Sequence, residues 1–154
     1  MNSTGPTTAV PARPSPAELR KMPAHERDAI LEVAFLAVAA DRHINAAEED
    51  ALRAFARALD PQRAQANVDA LLARGVDPDR DTADAHLLTV VGRLATDEAR
   101  ALAYQGAYAV AQADLAAADE EFEFDLQLID ALGLEQDMAD QLAQQVVAAL
   151  YPPA

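Results

Sequence analysis

Residues 34–59, AFLAVAADRHINAAEEDALRAFARAL, decide the fold of this 154-residue chain. A run of alanine and large apolar residues ends just before Asp41. Six residues separate Asp41 from Glu48, and a second such run begins around Glu48. The apolar residues recur at the three- and four-residue spacing of helices, without the alternation typical of strands. The stretch therefore predicts a helical hairpin, made of a buried helix, a short corner and an amphipathic helix.

The same pattern returns 73 residues later, in residues 107–132, AYAVAQADLAAADEEFEFDLQLIDAL. Aligning Asp41 with Asp114 also aligns Glu48 with Glu121. Two similar hairpins in one chain predict a core with approximate twofold symmetry. The predicted fold class is therefore all-α, a compact bundle of about seven helices with two pseudo-twofold-related helical hairpins.

Alanine, the best helix former, accounts for 38 of the 154 residues and supports helices along the rest of the chain. Thr96 is expected to cap one helix, and Gly75 and Gly133 are expected to end two others. Residues 76–81 are expected to form a loop around Pro78. The helices are predicted at residues 17–22, 24–40, 46–59, 62–73, 82–94, 96–113, 119–132 and 135–150.

The ends of the chain differ in composition from its middle. Residues 1–16 are rich in Pro, Ser and Thr and predict a disordered tail, while residues 152–154 form a short tail after the last helix. Residues 17–151 are predicted to form one helical domain.

The longest apolar run is about eight residues, far below the roughly 18 that a membrane span needs. We therefore expect a cytoplasmic protein that does not insert into membranes.

The net charge of −14 and the absence of cysteine exclude several classes of function. An acidic surface repels nucleic acid, and the absence of cysteine excludes disulfides and thiolate chemistry. Residues 114–125 hold six carboxylates and no cation. Such a run is a solvated face, a cation site or a surface that docks a basic protein partner. The candidate partner-binding residues are Asp119, Glu120, Glu123 and Asp125.

The Asp and Glu of each corner allow a purely structural interpretation. The segment Asn45-Ala46-Ala47-Glu48 predicts a capping box, in which the side chains of Asn45 and Glu48 bind each other's backbone N–H groups. Asp41 would then bind N–H groups of the loop. The second copy fits this interpretation less well, because Ala118 stands where the first copy has Asn45.

The alternative interpretation is a metal site. If the twofold symmetry brings the corners together, four carboxylates converge, and such hard oxygen ligands suit Ca²⁺, Mg²⁺ or Mn²⁺. Neither corner has the residue pattern of an EF-hand, and the chain has no phosphate-binding or nucleophile motif. We therefore expect a binding module and not an enzyme. The candidate metal ligands are Asp41, Glu48, Asp114 and Glu121.

Residues 35–59, FLAVAADRHINAAEEDALRAFARAL, and 107–134, AYAVAQADLAAADEEFEFDLQLIDALGL, resemble the TerB-like family, which is named for a bacterial tellurite-resistance protein. The family pattern is a small-residue helix followed by Asp-Gly-x-hydrophobic-x-x-x-Glu, used twice. The first copy here matches at Asp41, Ile44 and Glu48.

The second copy matches the family pattern at Asp114 and Glu121, whereas Arg42 and Leu115 replace the family's glycine. The resemblance implies an all-helical, pseudo-twofold, acidic module that binds a metal or a partner and has no catalytic activity. It also implies a role in stress response, in tellurite or metal resistance, or in membrane-associated complexes.

Overall fold

The computed structural model describes residues 19, 21–39, 44–75, 79–111 and 127–150. These residues contain no strand, and they form the all-α bundle that the sequence predicts. None of the described helices is both long enough and apolar enough to cross a bilayer. The predicted tails, residues 1–16 and 152–154, lie outside the described residues.

Six helices have defined bounds in the part of the chain that the structure describes, and a seventh is described only at its end. Residues 19 and 21, within the helix predicted at 17–22, are also helical. We number the seven helices α1 to α7 and assign α6 to the helical residues 127–132. The other six are α1 (Ala24–Val38), α2 (Ala46–Leu59), α3 (Ala64–Arg74), α4 (Arg80–Val91), α5 (Asp97–Ala111) and α7 (Gln136–Leu150).

The bounds of α4 correct the sequence-based prediction at both ends. The helix starts at Arg80, within the predicted loop, because the Asp79 carboxylate accepts the Thr82 backbone N–H and so caps the first turn. It ends at Val91 instead of 94, before Gly92. The predicted ends at Gly75 and Gly133 are confirmed, since both have φ near +70°, a conformation that favours glycine.

The centre of the bundle is the pair α1 and α5, which share the most extensive helix–helix interface among the described helices. Every residue of α1 from Ala29 to Val38 is buried, and so is the stretch of α5 from Ala101 to Ala107. A helix that is buried on all sides must be surrounded by other helices. The remaining described helices accordingly pack around this pair, with α2, α3 and α4 against α1 and α2 and α7 against α5.

The helix bounds follow the predicted repeat. Helix α5 begins and ends 73 residues after α1, and α6 ends 73 residues after α2. Leu59 and Leu132, the paired last residues of α2 and α6, are both buried. The two copies therefore share the length of their first helix and the end point of their second, although the corner of the second copy lies outside the described residues.

Helix α2 packs against α5 at a position without a side chain. The ring of Phe55 occupies the space above Gly106 so closely that a Cβ atom at Gly106 would overlap it. The sequence places this glycine inside a helix, where it costs about 1 kcal/mol relative to alanine in helix propensity. The contact with Phe55 supplies the physical reason for a glycine at this position.

We predict that Gly106→Ala lowers the free energy of unfolding by about 1–3 kcal/mol, because overpacking outweighs the gain in helix propensity. Phe55→Leu provides room for the new methyl group. In a double-mutant cycle measured by urea unfolding, Gly106→Ala should therefore cost less in the Phe55→Leu background. Additive effects of the two substitutions would contradict this packing argument.

Candidate functional site

The candidate site is the corner between α1 and α2, where the first predicted Asp/Glu pair belongs. Helix α1 ends at Val38 and α2 begins at Ala46. Glu48, in the first turn of α2, is the one proposed metal ligand among the described residues. The other candidate residues lie outside them: Asp41, Asp114 and Glu121 of the metal set, and Asp119, Glu120, Glu123 and Asp125 of the partner-binding set.

The predicted capping box at this corner is confirmed. The Asn45 side-chain oxygen accepts the Glu48 backbone N–H at 2.8 Å, and Glu48 Oε1 accepts the Asn45 backbone N–H at 3.2 Å. Two N–H groups that the helix itself leaves unpaired are thereby satisfied. The structural interpretation of Glu48 is therefore correct for one of its two carboxylate oxygens.

The second oxygen of Glu48 has no such explanation. Glu48 is only 2% exposed, and Oε2 is buried without a hydrogen-bond partner among the described residues. A buried carboxylate oxygen that is left unpaired costs free energy, because it loses water and gains nothing in return. A structural cap needs only one oxygen, so the capping box does not account for the burial of the other.

Two other buried glutamates show how the protein satisfies such groups elsewhere. Glu26, in the first turn of α1, accepts the Ala95 backbone N–H at 2.8 Å just before α5. Glu32, in the middle of α1, has basic side chains near both of its oxygens. Among the described residues, Glu48 is the only carboxylate with a buried oxygen that lacks a partner.

The two helix ends that meet at this corner carry opposite partial charges. The carbonyl end of α1 carries partial negative charge, and the last turn of that helix contains no basic residue to offset it. The amino end of α2 stabilises the negative charge of Glu48 through the capping hydrogen bonds. No group of three or more His, Asp or Glu side chains suited to a metal occurs within the described residues. Glu48 is therefore the one described side-chain ligand that this corner offers.

The structure also reveals a group of residues that sequence reasoning missed. Arg74, His86 and Arg93 surround the carboxylate of Glu32, although they follow it by 42 to 61 positions in the sequence. Their spacing carries no recognisable motif. The available signal was Glu32 itself, a single charge within the apolar stretch ILEVAFLAV at residues 30–38, because a glutamate is almost never fully buried unless it is paired.

No family model, no curated protein and no solved structure matches this chain. The resemblance to the TerB-like family therefore remains a prediction from the motifs of the two corners.

We predict that Asn45→Ala lowers the free energy of unfolding by about 0.5–2 kcal/mol, because the Glu48 N–H loses its acceptor. Asn45→Ser is the matched control, since serine is an equally good uncharged cap and should restore most of the stability. Thermal unfolding followed by circular dichroism measures both. Equal losses for the alanine and serine variants would show that the capping box does not stabilise α2.

Proposed function

We propose that this protein is a non-enzymatic, acidic module that holds a divalent cation at the corner between α1 and α2, with Glu48 Oε2 as a ligand. The observation that carries the proposal is this carboxylate oxygen, which is buried and without a partner among the described residues. A cation would supply the missing partner. It would also offset the negative end of α1.

The ligand chemistry points to a hard cation. A carboxylate oxygen is a typical ligand of Ca²⁺, Mg²⁺ and Mn²⁺, and Mg²⁺ binds through as few as one or two carboxylates while it retains several waters. Asp41 is the second ligand that we propose, from its place in the sequence between α1 and α2. Asp114 and Glu121 are proposed as the equivalent pair of the second copy, either in one shared site or in a second site.

The biological setting follows from the resemblance of the two corners to the TerB-like family. On that basis we propose a cytoplasmic role in bacterial stress response, in tellurite or metal resistance. A partner protein, basic or associated with the membrane, would bind the module. The all-α fold and the helix bounds that repeat after 73 residues are consistent with this assignment.

The net charge of −14 favours a second candidate function, a helical adaptor that docks a basic partner without metal. The candidate contacts for that function are Asp119, Glu120, Glu123 and Asp125. Such docking is electrostatic, so it weakens as salt rises. The two functions differ in one measurable respect, because the adaptor requires no specific cation binding by the isolated protein.

We predict that millimolar Ca²⁺, Mg²⁺ or Mn²⁺ raises the melting temperature of the EDTA-treated protein, and that calorimetry shows saturable binding. A cation at 100 times its Kd would add about 2.7 kcal/mol to the free energy of unfolding. Glu48→Gln should abolish this gain, because it removes the anionic charge while the amide oxygen still completes the capping box. The double variant Asp41→Asn with Asp114→Asn should also abolish binding.

The matched control is Glu49→Gln, which removes the same charge from the neighbouring, half-buried residue of α2 that pairs with Arg53. Cation binding should be unchanged in this variant. A wild-type protein that shows no cation-dependent stabilisation refutes the metal site. If such a protein still captures a basic partner in a salt-sensitive manner, the adaptor function is correct instead.

A further inference from the structure

A compact basic cluster lies on the surface of this strongly acidic protein. It consists of Arg74 at the end of α3, His86 in α4 and Arg93 in the turn that follows α4, all directed at Glu32 of α1. Arg74 Nη2 and His86 Nε2 each lie 2.5 Å from Glu32 Oε2, and Arg93 Nη1 lies 3.7 Å from Oε1. Three separate segments thus bring basic side chains to one carboxylate.

The charges of this cluster do not balance. Glu32 contributes one negative charge, whereas Arg74 and Arg93 contribute two positive charges even when His86 is neutral. Asp28 and Asp69 pair with other cations, Arg63 and Arg53, whereas Asp84 accepts a hydrogen bond from the neutral amide of Gln127. The four side chains of the cluster by themselves therefore carry at least one positive charge in excess.

The four side chains differ in burial, since the carboxylate is buried and the three basic side chains are partly exposed. The Glu32 side chain is only 9% exposed, while Arg74, His86 and Arg93 are 51%, 37% and 47% exposed. A guanidinium has five N–H donors, and that of Arg93 donates no hydrogen bond within the described residues, where it forms only an ion pair at 3.7 Å. The buried carboxylate thus anchors the three basic side chains, which remain partly exposed to solvent.

We infer that this cluster binds a small phosphate-type oxyanion, either free phosphate or the phosphate of a small phosphomonoester. Two guanidinium groups match the planar, bidentate geometry in which arginine recognises phosphate. A phosphate anion would offset the excess charge and accept hydrogen bonds from the guanidinium donors of Arg93. The buried carboxylate beneath the arginines would reduce the cost of ordering them on binding.

The overall charge of the protein limits the ligand to a small one. At −14, the surrounding surface repels a long polyanion such as nucleic acid, whereas a single phosphate feels mainly the charges within about 10 Å at ordinary salt. Half-exposed donors give modest affinity, so we expect a Kd on the order of 1 mM. This site is independent of the cation site proposed for the α1–α2 corner.

The test is an NMR titration of the protein with sodium phosphate, with phenyl phosphate and, at matched ionic strength, with sodium chloride. Phosphate and phenyl phosphate should give saturable shifts of the Arg74 and Arg93 side-chain Nε–H signals, and chloride should not. Tighter binding of phenyl phosphate would assign the site to phosphomonoesters, and tighter binding of phosphate would assign it to the free ion.

Arg93→Gln and, separately, Arg74→Gln should weaken phosphate binding about tenfold, because each removes a charge-assisted donor. Arg53→Gln is the matched control, since it removes the same charge from an arginine that binds Glu49 and Asp69 instead. Its Kd should change less than twofold. Shifts that are no larger with phosphate than with chloride, or an equal loss in all three variants, would refute the site and leave a structural ion-pair network.

Discussion

The close approach of α1 and α5 is the constraint on which the rest of this structure depends. Both helices are buried over most of their length, and alanines between the larger side chains bring their backbones near each other. This pair fixes where the amphipathic helices can bury their apolar sides. Because α1 is surrounded, any polar group on it must find its partners within the protein. The positions of Glu26 and Glu32 follow from that requirement.

The buried glutamates couple helices that lie far apart in the sequence. Glu26 links the start of α1 to the backbone before α5, and Glu32 links the middle of α1 to α3 and α4. Glu48 is attached only to its own corner, through the capping box with Asn45. The protein thus uses two carboxylates to hold its helices together and keeps an oxygen of a third unengaged within the described residues.

Sequence patterns predicted the features that depend on local chemistry. The bounds of α2, the Thr96 cap on the Ala99 N–H and the capping box of Asn45 all follow from residues within one turn of each other. The start of α4 was missed because the Asp79 side chain caps the helix directly after Pro78, a residue that predicted a loop. The basic cluster around Glu32 could not be predicted, since it depends on how three helices pack and not on any spacing along the chain.

Gly106 and Phe55 belong to different copies of the repeat, so each copy carries half of one contact. Their counterparts are Val33 and Leu128, and residues that a duplication would have made identical now differ in size at both places. The copies have become complementary and are no longer interchangeable. A chain assembled from two first copies would force a valine against the phenyl ring, and one assembled from two second copies would leave a hollow above the glycine.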